Sequence, residues 1–245
     1  MDRVEIKSLA KEKIKGNLWT IWKPMLIVVI VSALASGIGN ALTEKLGLLG
    51  SLLSLALTLA ASVFSTAYVL WVLKFVRGEE ASINTIIDCA KEKWSQILIT
   101  VILVSVYIIL WSLLFVIPGI IKALAYTMAL YLVVDTDLTG NDAIKESMRM
   151  MDGYKWNYFV FQLSFLGWCL LAPLTLGILY IWLIPYMTVA ETIYYERLKE
   201  KTGVVSTVAT EPAPEPTPAP VAEEPAPEPV EEKAAEEDTD PISEK

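Results

Sequence analysis

Long uncharged runs of apolar residues alternate with short polar segments over the first 203 residues of the chain. The stretch 47–73 contains no charged residue, and neither does the stretch 158–190, where Pro173 and Gly177 mark a turn. About 20 apolar residues cross a bilayer as a helix, and runs of this length favour a membrane span over a soluble helical core. The pattern therefore predicts an all-α, multi-pass transmembrane helical bundle with about six spans. The predicted spans are 24–43, 47–73, 95–117, 119–135, 157–174 and 177–196.

A polar segment whose apolar residues have helical spacing precedes each pair of predicted spans. These segments cover residues 4–15, 82–94 and 141–152. Each predicts an amphipathic helix on the inner face, of the kind that can lie in the plane of the lipid headgroups. The sequence Ala-Lys-Glu-Lys at 10–13 recurs at 90–93. We therefore consider the hypothesis of three repeats, each an inner-face helix followed by a helical hairpin.

Composition separates this apolar body from the C-terminal end of the chain. The formal net charge of −8 combines +2 over residues 1–203 with −10 over residues 204–245. Nine of the 13 prolines also lie in 204–245, where alternating proline favours an extended chain without a hydrophobic core. We predict a transmembrane domain over 1–203 and a disordered Pro/Glu-rich acidic tail over 204–245.

The basic residues of the body lie almost entirely on one side of the predicted topology. With the N-terminus inside, 16 basic residues lie in inner segments, and only Lys45 and Lys122 lie on the outer side. Segments rich in Lys and Arg stay preferentially in the cytoplasm. This distribution predicts a multi-pass protein of the cytoplasmic membrane with both termini in the cytoplasm.

The residue inventory excludes several kinds of chemistry. The chain has no histidine, so it cannot form a Ser-His-Asp triad, a Cys-His pair or a zinc site with histidine ligands. Its two cysteines, Cys89 and Cys169, are too few for a four-cysteine metal site or a disulfide framework. We predict no catalytic, metal or cofactor site, no enzymatic activity and no nucleic-acid partner.

Hydroxyl residues and one lysine inside the predicted spans are candidates for a function. Thr58 and Ser62 belong to a stripe of small and hydroxyl residues spaced by four in the second span. Such stripes let helices approach closely in lipid, so packing is favoured over a polar path for a solute. Lys122 lies within one turn of the outer end of the fourth span, from which its side chain can reach the headgroups.

The last predicted span contains two further candidates, Glu191 and Pro185. Glu191 could face a cavity or reach the inner headgroup water, and both interpretations stay open. Pro185 is expected to kink the span and to free the carbonyl of Ile181, four residues before it. A hydroxyl group or a water molecule would have to satisfy that carbonyl.

Several motifs in the second half of the chain resemble the family catalogued as domain of unknown function 975. They are WSLLFVIPGIIKA at 111–123, YTM at 126–128, LSFLGW at 163–168, LTLG at 174–177, Pro185-Tyr186, Tyr194-Tyr195, and the single residues Ser147, Met150, Met151, Gly153 and Lys155. The resemblance is densest over 111–197 and does not reach the tail. It implies a bacterial multi-pass membrane protein without an assigned activity, and it assigns no functional residues.

Two classes of function fit these observations. The first is a non-catalytic membrane protein that acts through the lipid bilayer or through a cytoplasmic protein bound to the tail. The alternative is a small transporter of a solute, an ion or a lipid, for which Glu191, Pro185 and the repeats would form the path. A continuous polar cavity containing Glu191 favours the transporter, whereas a fully packed bundle argues against it.

Overall fold

The computed structural model describes residues 2–204, which are almost entirely helical and contain no strand. The helices are α1 (Arg3–Ile14), α2 (Leu18–Leu46), α3 (Leu48–Arg77), α4 (Ile83–Glu92), α5 (Trp94–Leu114), α6 (Val116–Tyr126), α7 (Ala129–Asp135), α8 (Gly140–Met150), α9 (Lys155–Leu171) and α10 (Tyr180–Thr202). One 3-10 turn, Pro173–Thr175, follows α9. The all-α prediction is confirmed for this part of the chain. The predicted disordered tail lies outside the described residues, apart from Val204, and stays a prediction.

Within residues 2–204, five segments are long and apolar enough to cross a membrane. They are Leu18–Leu46, Leu48–Arg77, Trp94–Leu114, Val116–Asp135 and Lys155–Thr175. These segments correspond to the first five predicted spans. The sixth predicted span falls on α10, which does not meet the same standard because its second half carries Glu191, Glu196, Arg197 and Lys199. The structure thus gives five candidate spans where the sequence predicted about six, and it indicates a membrane protein.

The order of a short helix followed by a helical hairpin occurs three times. The units are α1 with α2 and α3, α4 with α5 to α7, and α8 with α9 and α10. Each short helix packs mainly on a different hairpin from the one it precedes: α4 on α3, α8 on α5 to α7, and α1 on α10. The second unit thus packs its short helix on the first, the third on the second, and the first on the third, so the contacts form a closed cycle. This arrangement agrees with the hypothesis of three repeats, whose superposition stays a prediction.

The short helices use their apolar faces for contacts with protein. Ile6 and Ala10 in α1 are 2% and 0% exposed, and the corresponding Ile86 and Ala90 in α4 are 2% and 7% exposed. The sequence left open whether these helices lie in the headgroup plane or pack under the bundle. In the structure, neighbouring helices provide apolar surface that covers these four residues. The polar faces of α1 and α4 remain open to the surroundings, together with Val4, Ile83 and Ile87, which are 77%, 43% and 38% exposed.

The turns of the three hairpins are strongly apolar and exposed. Leu48, Leu113 and Leu176, which lie at or beside the three turns, are 80–94% exposed. The hydrophobic core instead gathers near the opposite ends, where the short helices pack. Exposed apolar surface of this extent is unfavourable in water and is suited to lipid.

Two glycines allow α2 and α3 to pack closely. A Cβ atom at Gly50 would overlap the backbone carbonyl of Leu42, and one at Gly39 would overlap the side chain of Ser54. In lipid, where no hydrophobic effect drives apolar helices together, such close backbone approach is a main source of attraction between helices. The α2–α3 hairpin therefore depends on these small residues.

We predict that Gly50→Ala destabilises the protein by about 1–3 kcal/mol, because backbone atoms cannot move aside to admit the methyl group. Gly37→Ala is the matched control, since a Cβ there meets nothing within 4 Å and alanine favours a helix. Reversible unfolding of the purified protein in detergent, followed by tryptophan fluorescence, measures both variants. Equal stabilities of the two variants would contradict the close approach.

Candidate functional site

A buried ion cluster joins the ends of three helices that belong to three different hairpins. Arg77 is the last residue of α3, and Gly78, with a φ of 81°, ends the helix immediately after it. A left-handed φ of this kind suits glycine, so the chain turns away directly after the arginine. Asp135 is the last residue of α7, and Lys199 lies near the end of α10.

The carboxylate of Asp135 is completely buried and accepts hydrogen bonds on both oxygens. Arg77 Nη2 donates to Oδ1 at 2.6 Å, and Lys199 Nζ donates to Oδ2 at 2.6 Å. The Tyr195 hydroxyl donates to Oδ2 at 2.8 Å. Arg77 also bonds Glu196 Oε1, at 2.7 Å from Nη2. We call Arg77, Asp135, Tyr195, Glu196 and Lys199 the ion cluster.

The ion cluster makes the positions of the three helix ends depend on one another. A buried ion pair adds little stability over apolar packing, but removing one partner leaves a buried charge uncompensated and costs about 3–5 kcal/mol. Asp135 faces two cations that come from different hairpins. A displacement of α3 or α10 relative to α7 would therefore break a short, charged hydrogen bond.

Lys93 supports the cluster by closing the end of α7. Its Nζ donates to the carbonyls of Val133, Val134 and Thr136 at 3.2, 3.4 and 2.9 Å. These carbonyls have no partner within the helix, and a cation at a helix C-terminus also interacts favourably with the helix dipole. Lys93, which fixes the end of α7 beside Asp135, thus lies at the start of the same α5–α7 hairpin.

Ser147, one of the residues on which the family resemblance rests, bonds the backbone at the break between α6 and α7. The Ser147 hydroxyl, on α8, donates to the carbonyl of Ala125 at 2.8 Å and accepts from the backbone N–H of Met128 at 3.1 Å. Both backbone groups lie where the helix is interrupted and would otherwise lack a partner. Ser147 therefore ties the third unit to the second.

Two of the sequence-predicted residues form hydrogen bonds within their own helix. Thr58 Oγ1 donates to the carbonyl of Ser54 at 2.9 Å, and Ser62 Oγ donates to the carbonyl of Leu59 at 2.7 Å. Such bonds satisfy a hydroxyl inside a membrane helix without any partner from a solute. Thr58 is exposed and Ser62 is partly buried.

Tryptophan side chains contact Lys122 and the carbonyl of Ile181, four residues before Pro185. The Lys122 ammonium lies 4.8 Å from the centre of the Trp111 ring, a cation–π contact across the α5–α6 hairpin. Helix α10 continues through Pro185, and Trp22 Nε1 donates to the carbonyl of Ile181 at 2.7 Å. The carbonyl that Pro185 frees is thus satisfied, although by an indole rather than by the hydroxyl or water that we expected.

Glu191 contacts neutral side chains of α9. Gln162 Nε2 donates to Glu191 Oε1 at 2.6 Å and to the Tyr158 hydroxyl at 2.8 Å. The five predicted residues do not form one site, because Thr58 and Ser62 bond within α3, Lys122 contacts α5, and Pro185 and Glu191 use different partners. The ion cluster was missed by the sequence reasoning, which assigned Arg77 and Lys199 to the basic inner segments.

Neither cysteine chemistry nor metal binding is indicated in the described part of the chain. Burial raises the pKa of the Cys89 thiol to about 11, so it stays protonated at neutral pH and is a poor nucleophile. Within residues 2–204, no group of three acidic or cysteine side chains is arranged to hold a metal ion. Most of the polar contacts described above tie helices together, whereas those of Thr58 and Ser62 lie within α3.

The fold and these contacts define a helical protein with the features of a multi-pass membrane protein. A family model described as "Protein of unknown function (DUF975)" matches residues 1–130 and 113–202, and the chain belongs to this family. The resemblance that the sequence motifs indicated is confirmed. Comparison with curated proteins and with solved structures gave no significant match.

We predict that Asp135→Asn destabilises the protein by about 3–5 kcal/mol, because Arg77 and Lys199 would both lose the charge of the buried carboxylate that they share. Asp137→Asn is the matched control, since Asp137 is exposed and lies two residues away. Its effect should stay within about 0.5 kcal/mol. Unfolding in detergent measures both, and a small effect of Asp135→Asn would argue against a structural role of the ion cluster.

A double-mutant cycle tests the bond between Trp22 and the Ile181 carbonyl. Trp22→Phe should cost about 1–3 kcal/mol, because the freed carbonyl loses its donor. In a Pro185→Ala background the new backbone N–H can bond that carbonyl, so the same change should cost less by at least about 0.5 kcal/mol. Trp19→Phe, on the exposed side of α2, is the control. Identical costs in both backgrounds would refute the proposed role of Trp22.

Proposed function

We propose that this chain is a non-catalytic, multi-pass protein of the bacterial cytoplasmic membrane that acts through contacts with lipid and with other proteins. Both termini lie in the cytoplasm, and the acidic tail contacts a cytoplasmic protein. The observation that supports this proposal is that the buried polar groups join helices to one another. Arg77, Asp135 and Lys199 hold three helix ends together, and Ser147 bonds the backbone at a helix break.

The exposed charges at the ion-cluster end support an interaction surface there. The charged side chains of Lys11, Glu12 and Lys91 are exposed on the outer faces of α1 and α4, while Ile6 and Ile86 on these helices are buried. A helix whose apolar face is largely covered by protein presents mainly its polar face to a partner. Helix α10 ends at the same end of the hairpins, so the tail begins close to this surface.

The distribution of basic residues supports the orientation. Sixteen basic residues of the body lie on the side of the ion cluster in the predicted topology, against two on the opposite side. Positive charge is retained preferentially on the cytoplasmic side during insertion. The ion cluster and the start of the tail therefore face the cytoplasm.

A transporter is the second candidate, and Glu191 is the observation that favours it. Acidic groups inside membrane proteins often mark the path of an ion. However, cavities of about 410 and 350 Å³ at the ion-cluster end do not include Glu191 in their lining. The larger of these is lined by residues such as Lys74, Asp88 and Lys93, and lies between α3, α4 and the end of α7.

The proposal predicts a protein partner that depends on the tail. Crosslinking in native membranes, purification and quantitative mass spectrometry should recover at least one cytoplasmic protein with the full-length chain. The partner should be lost from a chain ending at Gly203 and from one in which residues 238–245 are scrambled. The scrambled tail keeps its length and charge, so it controls for non-specific electrostatic attraction.

Recovery of lipid alone by all three chains would contradict this proposal. In that case, dissipation of a potassium or proton gradient by the purified protein in vesicles would favour the transporter. Loss of that activity in Glu191→Gln would then assign it to the carboxyl group.

A further inference from the structure

Helix α1 packs across both limbs of the α9–α10 hairpin. The Lys7 ammonium lies 4.5 Å from the centre of the Phe165 ring and donates to the carbonyl of Ser164 at 3.5 Å. On the other limb, the Tyr186 hydroxyl donates to the carbonyl of Lys7 at 3.5 Å. Six of the 12 residues of α1 are charged, so this helix cannot lie in the hydrocarbon core of a bilayer. Its contacts with Ser164 and Tyr186 therefore mark the depth at which the hairpin leaves the headgroup region.

The part of the hairpin beyond these contacts is short. Helix α9 ends at Leu171, seven residues after Ser164, which corresponds to about 10 Å. The 3-10 turn Pro173–Thr175 adds at most about 6 Å. Helix α10 begins at Tyr180, six residues before Tyr186, or about 9 Å. The tip thus extends about 16 Å beyond α1, whereas the hydrocarbon core of a bilayer is about 30 Å thick.

A contact with α2 independently indicates a shallow position of the tip. Trp22 lies next to Lys23, an exposed charged residue near the start of α2, and its indole donates to the carbonyl of Ile181 at 2.7 Å. Ile181 is only four residues from Gly177, which belongs to the turn of the third hairpin. The tip therefore lies close to the end of α2 that carries Lys23.

The first hairpin is long enough to cross a bilayer and provides a comparison. Lys23 and Glu44 are exposed charged residues at the two ends of the uncharged stretch 24–43. They are 21 residues apart, which in a helix corresponds to about 32 Å, close to the thickness of the hydrocarbon core. Charged side chains thus lie beside the first turn, whereas the stretch 158–190, which contains the third turn, has none.

The third turn satisfies its own backbone groups. Every backbone N–H from Thr175 to Trp182 has an acceptor in the segment between α9 and α10. The Thr175 hydroxyl takes part, since it donates to the carbonyl of Ala172 at 2.8 Å and accepts from a backbone N–H at 3.2 Å. Backbone groups inside a bilayer need partners within the protein, because hydrocarbon provides none. The turn is therefore suited to hydrocarbon, and the side chain of Leu176 on it is 94% exposed.

We propose that the α9–α10 hairpin is re-entrant, which means that it enters the bilayer, turns near the midplane and returns to the same side without crossing. Its partner is the acyl chains of one leaflet. The segment Lys155–Thr175 is long and apolar enough to cross a membrane, but α1 contacts it halfway along, at Ser164. The inference rests on the membrane location in the proposed function, and not on which side faces the cytoplasm.

Cysteine accessibility in sealed vesicles of both orientations tests the position of the turn. Leu176→Cys, Lys45→Cys and Lys91→Cys are introduced one at a time into a full-length chain that also carries Cys89→Ala and Cys169→Ala. Lys45, beside the first turn, and Lys91, on α4, are exposed and serve as controls for the two aqueous faces. A membrane-impermeant maleimide is applied from each face, and labelling is measured by mass spectrometry before and after denaturation in dodecyl sulfate.

Lys45→Cys should react from one face and Lys91→Cys from the other. Leu176→Cys should react at least about tenfold less than either control from both faces, because a thiol in hydrocarbon is not ionised, and it should react fully in dodecyl sulfate. Reaction of Leu176→Cys from the Lys45 face would show a crossing hairpin, and reaction from the Lys91 face would show a turn in water. Either result overturns the proposal. The face on which Lys45→Cys reacts tests the orientation in the proposed function separately.

A nitroxide attached at Leu176→Cys measures the depth of the turn, from its collisions with oxygen relative to those with a water-soluble nickel complex. The nitroxide should lie within about 5 Å of the bilayer centre, well inside the hydrocarbon core of about 30 Å. A depth at the headgroups on the Lys45 face would overturn the proposal even if the maleimide did not react.

Discussion

A single buried carboxylate, that of Asp135, connects the three hairpins of this protein. It lies at the end of α7 and bonds a guanidinium from α3 and an ammonium from α10, each at 2.6 Å. The hairpins expose apolar turns at their far ends, and such exposed apolar surface is suited to lipid. Since apolar helices gain little from contacts with one another in lipid, charged and hydrogen-bonded contacts at one end have a large share in fixing their arrangement.

The helical architecture could be predicted from the sequence because it depends on local properties. Long apolar runs with few or no charged residues located the first five spans, and helical spacing located α1, α4 and α8. The sixth predicted span is not among the five candidate spans of the structure. It falls on α10, whose second half carries charged residues, some of which belong to the ion cluster. Whether protein covers Ile6 and Ala10 could not be predicted, since a pattern of apolar positions does not reveal whether lipid or protein lies against them.

The polar contacts depend on residues far apart in the chain, and the sequence predicted them only where covalent geometry required a partner. Proline at 185 frees the Ile181 carbonyl in any helix, so a donor could be expected, but its identity as Trp22 depends on how α2 packs against α10. Arg77 and Asp135 are separated by 58 residues, and no spacing rule brings them together. Glu191 was identified as a candidate because acids within an apolar run are costly, whereas its hydrogen-bond partner Gln162 carried no such signal.

Hydrogen exchange of the Asp135→Asn variant in lipid tests most directly whether the ion cluster holds the hairpins together. The measurement compares amide protection in the last turns of α3, α7 and α10 with that in the unmodified chain. A shared constraint predicts that all three helix ends lose protection together, while the middle of α2 is unchanged. Loss of protection confined to α7 would contradict this account, because the other two helices would then be held without the carboxylate.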